Sequence, residues 1–137
     1  MPLYLSYLAR AYAELGQFEN ARRSIGEALS TLQTTGTRWL EADVYRIRGE
    51  IALLSPERDE GEAQALFERA LGVARAQHAR SWELRAATSL ARLWRDQGRR
   101  AEARALLAPV YGGFSEGFGA VDLKQASALL DELKDAP

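Results

Sequence analysis

The sequence contains no cysteine and only one histidine, His78, among its 137 residues. The absence of cysteine excludes disulfide bonds, thiolate catalysis and thiolate metal ligands. A lone histidine with no cysteine beside it cannot supply the ligand set of an ordinary zinc site. We therefore expect His78 to be an exposed or helix-capping residue, and we expect no metal and no cofactor.

The sequence also lacks a long apolar run and a large excess of charge of either sign. No stretch approaches the roughly 20 apolar residues of a membrane-spanning helix, and Arg10 and Glu14 interrupt any signal-peptide layout at the N-terminus. The 18 basic residues nearly balance the 19 acidic ones, so the net charge is −1. No global field therefore draws the chain to nucleic acid or to an anionic membrane. We expect a cytoplasmic protein without membrane contact.

The motifs of catalysis are missing or lack their context. Gly113–Gly117 reads G-x-S-x-G, the nucleophile elbow of serine hydrolases, but no strand precedes it and the only histidine lies upstream. There is no phosphate-binding loop, and Lys124 and Lys134 are the only lysines. The acidic residues between positions 57 and 62 lack the pattern of a calcium loop. The sequence therefore predicts no enzyme.

What the sequence does contain is an internal repeat of three units. The aligned positions are Leu8-Ala9, Tyr12, Gly16, Ala21, Ile25 and Ala28 in the first unit, Tyr45, Gly49, Ala52, Ala63, Phe67 and Ala70 in the second, and Leu90-Ala91, Trp94, Gly98, Ala103, Leu107 and Val110 in the third. Apolar residues recur three and four positions apart within each half. Gly16 and Gly98 stand where a helix ends in a left-handed residue. Each unit is therefore predicted to be a hairpin of two helices, in which the small residue of the first helix lets the second approach closely.

These patterns predict an all-α fold, an α-solenoid of three helix hairpins and a C-terminal capping helix, in one domain spanning 1–137. Asp122, with Gln125 three residues later, resembles a capping box that would start the last helix. The predicted hairpins are 2–34, 38–77 and 81–111, with helices at about 2–15, 18–34, 38–54, 60–77, 81–97 and 100–111, followed by a loop at 112–121 and a capping helix at 122–134.

The spacing of small and aromatic residues resembles the tetratricopeptide repeat, whose units span about 34 residues. The units here are longer, mainly because the connectors at 31–38 and 75–81 are long. The resemblance implies a protein-interaction or regulatory scaffold that performs no chemistry.

A more particular resemblance covers roughly Ser81 to Leu133. The residues that carry it include Ser81-Trp82-Glu83-Leu84-Arg85, Leu93-Trp94, Gln97-Gly98-Arg99, Leu106-Leu107-Ala108-Pro109-Val110-Tyr111 and Phe114-Ser115-Glu116-Gly117-Phe118. This run is similar to the C-terminal repeats of large bacterial signalling proteins, in which an adenylate or guanylate cyclase or a DNA-binding domain precedes an ATPase-like region. The resemblance implies that the chain is the C-terminal segment of a longer bacterial regulator.

In a stack of such hairpins, the first helix of each unit lines an inner groove. Arginine can bind carboxylates through a bidentate fork, so an arginine-lined groove predicts a protein or peptide partner of acidic character. The alternative is an ordinary surface, because arginine is the chain's default cation and a pair such as Glu50 with Arg92 would be common. The residues predicted to line the groove are Arg10, Arg46, Glu50, Arg85, Arg92 and Arg95.

Two other functions are compatible with the sequence. An apolar flank on the first helix, formed by Leu3, Tyr4, Leu5 and Tyr7, would favour self-association as a homodimer. The segment 75–104 contains eight arginines against three acidic residues, which would favour nucleic acid. The balanced net charge and the absence of aromatic platforms beside these arginines weigh against nucleic-acid binding.

Overall fold

The computed structural model describes residues 2–35, 41–56, 58–113 and 121–134, with side chains from residue 8 onward except those of 33–35. Within these residues every regular element is an α-helix and no strand occurs, so the prediction of an all-α helical repeat is confirmed. The single-domain assignment of 1–137 stays a prediction. The helices are α1 Pro2–Glu14, α2 Phe18–Thr35, α3 Glu41–Leu54, α4 Glu60–Ala76, α5 Arg80–Asp96, α6 Arg100–Gly112 and α7 Val121–Lys134.

The helix ends lie close to their predicted positions, with one correction at α7. The helix begins at Val121, so Asp122 lies inside its first turn and the capping-box interpretation of Asp122 and Gln125 is wrong. Both side chains instead contact arginines of α5. Of the predicted loop at 112–121, Gly112 belongs to α6 and residues 114–120 lie outside the described part of the chain.

Three helix ends share one turn geometry. Gly16, His78 and Gly98 have left-handed φ angles of 81°, 55° and 80°. In each turn the N–H of the following residue donates to a carbonyl five residues earlier, which defines a Schellman motif. Those bonds are Gln17 to Tyr12 at 2.8 Å, Ala79 to Ala74 at 2.9 Å and Arg99 to Trp94 at 2.7 Å. The glycine turns and the exposed capping role of His78 are therefore confirmed.

The second hairpin shows why a small residue is needed on the first helix. A Cβ placed on Gly49 of α3 would lie 2.6 Å from the ring of Phe67 on α4. Phe67 is completely buried, so its ring cannot swing away into solvent. The equivalent residues Ala9 and Ala91 are also completely buried. Close approach of the two helices thus depends on these small positions, as the repeat predicts.

The hairpins stack so that their first helices form a row. Helices α1 and α2, α3 and α4, and α5 and α6 pack in pairs, while α1 packs on α3 and α3 on α5. Helix α7 packs on both α5 and α6, so it stands where the first helix of a fourth hairpin would stand. It covers the end of the third hairpin by burying Leu123, Ala126, Leu129 and Leu133. No described helix has both the length and the apolar character to span a membrane.

Candidate interaction groove

The row of first helices carries an arginine-rich groove. Its cavity of about 220 Å³ has room for an acidic side chain and several waters, since a water occupies about 30 Å³. All four helices of the row contribute to its walls. The lining residues are Arg10, Arg46, Arg85, Thr88, Ser89, Arg92, Asp122 and Gln125.

The base of this groove is a buried ionic contact on α3. Asp43 is 1% exposed and Arg46 is 9% exposed, and Arg46 Nε donates to Asp43 Oδ1 at 2.8 Å. Arg46 also bonds the carboxylate of Glu50 one turn later. Buried charges persist only when they are paired, so Asp43 and Glu50 together hold the Arg46 guanidinium in the groove wall.

Arg10 of α1 reaches the same acidic group from the neighbouring hairpin. Its guanidinium lies 3.4 Å from Glu50 and 3.2 Å from Glu14. Glu50 therefore bridges α1 and α3 by contacting Arg10 and Arg46 at once. The side chain predicted as a groove acid serves here as the link between two groove arginines.

Arg85 of α5 is held from three directions. It donates through Nε to Asp122 of α7 at 2.8 Å, and its terminal nitrogen lies 3.6 Å from the buried Asp43. The guanidinium also lies over the Trp82 ring, 4.9 Å from its centroid, which is a cation–π arrangement. Arg85 therefore ties α5 to both α3 and α7.

Arg92 differs from every other arginine of the groove. In the described part of the chain, Arg10, Arg46 and Arg85 each contact two carboxylates within 4.0 Å. Arg92 contacts none, and its hydrogen bond is a long one of 3.4 Å to the neutral oxygen of Gln125. Arg92 is thus the groove cation whose charge no close carboxylate of the described chain offsets.

The surroundings of Arg92 are unfavourable for its positive charge. Burial is the largest cause that lowers the pKa of Arg92 below its ordinary value. The nearby Glu50 opposes this change, and the positive charges of neighbouring arginines add to it. The guanidinium nevertheless stays protonated at neutral pH. A negative group placed here would relieve the local positive potential.

Arg95, the last of the predicted groove residues, is not part of the lining. It pairs with Asp96 at 3.2 Å and with Glu132 of α7 at 3.0 Å. The structure therefore brings Arg10, Arg46, Arg85 and Arg92 together, places Glu50 between two of them, and sets Arg95 apart in a contact with the capping helix. Whether the groove binds a partner stays a prediction.

Three lining residues are not predicted from the sequence, namely Ser89, Asp122 and Gln125, and the last two come from α7. The sequence predicts α7 as a cap, and nothing in its pattern shows that it takes the place of a fourth first helix. The sequence offers one hint of this position. Asp122 and Gln125 are polar residues spaced three apart, as Arg85 and Thr88 are on α5, and in the structure both contact α5.

The arginines of the segment 75–104 are less available to nucleic acid than the sequence suggests. Arg75 pairs with Glu83 at 3.0 Å, and Arg99 pairs with Glu102 at 2.6 Å. Arg85 and Arg95 have acidic partners on α7, which lies outside the arginine-rich segment 75–104. These ion pairs offset much of the local charge that would attract phosphates.

Other surfaces offer weaker candidates. A larger cleft of about 460 Å³ lies between α2, α3 and α4, but its rim mixes Arg22 and Arg48 with Asp59 and Glu62, so no single sign of charge prevails. The side chains of the predicted self-association flank, 3–7, lie outside the described residues, as does most of the G-x-S-x-G segment. Self-association therefore stays a prediction. The described residues contain no group of acidic or histidine side chains that could hold a metal ion.

One family model matches the chain, and its match lies in the third hairpin. Residues 84–111, which run from the first turns of α5 to the end of α6, match the family model described as tetratricopeptide repeat. This match supports the tetratricopeptide resemblance that the spacing indicates. Comparison with curated proteins and with solved structures finds no significant match to either.

Proposed function

We propose that this chain is a protein-interaction module whose arginine groove binds an acidic segment of another protein. Tetratricopeptide repeats generally mediate contacts between proteins and serve as non-catalytic scaffolds. In this proposal the hairpins supply a rigid surface, and the row of first helices supplies the contacts. The partner provides a carboxylate on an extended or helical segment.

The observation that carries the proposal is that Arg92 lines the groove without a close carboxylate of the described chain. Its guanidinium lines a cavity large enough for an acidic side chain, and no carboxylate of the described chain lies within ion-pair distance of it. An incoming carboxylate can accept a charge-assisted bidentate bond in place of the long bond to Gln125. The neighbouring arginines, held in fixed positions by Asp43 and Glu50, add a favourable field without having to reorganise.

A charge reversal at one residue tests the groove. Arg92→Glu is preferable to reversing Arg46 or Arg85, because Arg46 is buried beside Asp43 and Arg85 ties α5 to α3 and α7. We expect Arg92→Glu to abolish binding to an array of glutamate-rich peptides, measured against the same peptides with glutamine in place of glutamate.

The matched control is Arg104→Glu, an equal change of charge at an exposed position of α6 away from the groove. We expect this control to bind as the original protein does. Equal binding by Arg92→Glu and the original protein, with both folded by circular dichroism, would reject the groove.

We also propose a context for the module, on the resemblance of the run from Ser81 to Leu133 to bacterial regulators. The chain would be the C-terminal segment of a larger cytoplasmic signalling protein with a cyclase or an ATPase-like region upstream. Any catalytic activity would then belong to that upstream region. The coding sequence upstream of Met1 tests this context directly, and a region unrelated to signalling enzymes would exclude it.

A further inference from the structure

The capping helix α7 contacts two of the arginines that the groove would offer to a partner, Arg85 and Arg92, and also contacts Arg95 outside the groove. Asp122 accepts from Arg85 at 2.8 Å, Gln125 accepts from Arg92 at 3.4 Å, and Glu132 pairs with Arg95. These three residues of α7 each face a different arginine of α5. The capping helix therefore does more than cover apolar surface, because it also determines which arginines retain a close acidic partner.

We propose that α7 sets the anion capacity of the groove, with Asp122 occupying Arg85 and the neutral Gln125 leaving Arg92 open to one carboxylate of the partner. This inference rests on the proposed function and adds two specificity-determining residues to it. Asp122 then competes with the partner's carboxylate for Arg85, whereas the neutral Gln125 leaves Arg92 available to that carboxylate.

Geometry supports competition at Arg85. The Arg85 and Asp122 side chains are 30% and 31% exposed, so a partner carboxylate can reach the guanidinium from solvent. Because Asp122 is attached to the same chain, its effective concentration at Arg85 is high and a free carboxylate competes poorly. Removing the Asp122 charge should therefore leave Arg85 with the more distant Asp43 as its acidic partner and make it a second binding position beside Arg92.

At Arg92, by contrast, the residue of α7 competes weakly with a partner carboxylate. Gln125 offers a neutral acceptor at a long distance, and a bond to a carboxylate is roughly twice as strong as a neutral one. A partner carboxylate therefore replaces Gln125 readily. A glutamate at position 125 would place an intramolecular carboxylate on Arg92 and close the remaining position.

Two substitutions of opposite expected sign test the proposal on the full chain. The probe is fluorescein-labelled hexaglutamate, and its affinity is measured by fluorescence anisotropy at low ionic strength, where charge contacts are least screened. We expect Asp122→Asn to bind the probe about fivefold to tenfold more tightly than the original protein. We expect Gln125→Glu to bind it at least tenfold more weakly.

Matched controls on the same helix separate local competition from a change of overall charge. Asp131→Asn and Ala128→Glu make the same two charge changes at exposed positions of α7 that do not line the groove, and we expect both to bind as the original protein does. Urea unfolding of all four variants checks that α7 remains docked.

The outcomes distinguish this inference from the proposed function. If the original protein binds hexaglutamate and Arg92→Glu does not, but Asp122→Asn and Gln125→Glu match their controls, the role of α7 is overturned and the groove stands. If neither the original protein nor Asp122→Asn binds the probe, both the groove and the role of α7 are overturned.

Discussion

At the scale of the single residue, Gly49 is the described glycine at which an added Cβ would meet the closest neighbour. The ring of Phe67 occupies the space that any larger side chain would need. Gly72 on α4 provides a contrast within the same hairpin, because a Cβ there would meet no atom within 4 Å. The two positions therefore separate the packing cost of a methyl group from its benefit to helix propensity.

We expect Gly49→Ala to lower the free energy of unfolding by about 1–3 kcal/mol, the usual range for overpacking a core, despite the better helix propensity of alanine. Gly72→Ala should instead raise it by up to about 1 kcal/mol. Urea denaturation followed by far-ultraviolet circular dichroism measures both. A stabilising Gly49→Ala would contradict the close helix contact.

His78 has a backbone conformation that suits glycine better than a residue with a Cβ. It takes the left-handed conformation that Gly16 and Gly98 take at the equivalent helix ends, and that conformation costs a residue with a Cβ roughly 1–2 kcal/mol. We expect His78→Gly to raise the free energy of unfolding by about 1 kcal/mol. Gly98→Ala, which creates the same conflict, should lower it by a similar amount, and thermal unfolding of the two variants checks the opposite signs.

The sequence predicts the close-contact position Gly49 better than it predicts the left-handed turn at His78. The repeat pattern indicates Gly49 as a close-contact residue because small residues recur at that place in all three units. The turn at His78 carries no glycine, so the sequence supports a cap there but not its left-handed geometry. The Schellman hydrogen bonds of the preceding helix impose that geometry.

At the scale of elements, a contact between hairpins changes the acidity of a surface group. Gln97, in the turn between α5 and α6, donates to Glu60 at the start of α4 at 2.9 Å. This bond is the largest cause that lowers the pKa of Glu60, followed by the hydrogen bond from Arg58. A similar bond from Arg99 lowers the pKa of Glu102 within one hairpin.

We expect Gln97→Ala to raise the pKa of Glu60 toward its ordinary value, because the substitution removes the largest cause of the change. The pKa of Glu102 should stay low, since it depends on Arg99, and nuclear magnetic resonance titration of the glutamate carboxyls measures both. Each pKa is lowered by folding, so each contact stabilises the fold fully above the unfolded pKa and is lost as pH falls through the folded pKa. If the pKa of Glu60 is the same in Gln97→Ala as in the original protein, Gln97 does not donate a hydrogen bond to Glu60 in solution.

The elements themselves follow closely from the sequence, whereas their use does not. Apolar periodicity and glycine positions place the six hairpin helices, because burial of one face and the chemistry of the turn act locally. The role of α7 depends on its contacts with α5, whose partner residues lie 33 and 37 positions earlier in the chain. Asp122 therefore resembles a cap when the sequence is considered locally, yet it pairs with Arg85 in the folded chain.

At the scale of the whole molecule, one network of charges connects the row of first helices. Glu50 joins α1 to α3, Asp43 joins α3 to α5 through Arg85, and Asp122 joins α5 to α7. In most helical repeats each unit contacts only its neighbours, so stability is close to a sum of local terms. The buried carboxylate of Asp43 contributes to one such interface between neighbours, because it contacts Arg46 of the second hairpin and Arg85 of the third.

We expect Asp43→Ala to lower the free energy of unfolding by about 3 kcal/mol, at the lower end of the range for breaking a buried ion pair, because Arg46 keeps Glu50. Removing both charges with Asp43→Leu and Arg46→Leu should recover much of that loss, since no buried guanidinium is then left without its acid. Urea denaturation of the single and double variants measures the difference. Glu102→Ala, which breaks an exposed pair, provides the control and should change stability little.

The slope of the same denaturation curves tests whether the network couples the hairpins. If Asp43 joins the second hairpin to the third, its removal lets one end of the stack unfold before the other, and the apparent slope against urea falls below that of the original protein. Loss of stability with an unchanged slope would instead mean that apolar packing alone couples the hairpins. In that case Asp43 would serve chiefly to hold Arg46 and Arg85 in the groove, and its substitution should weaken hexaglutamate binding more than it affects cooperativity.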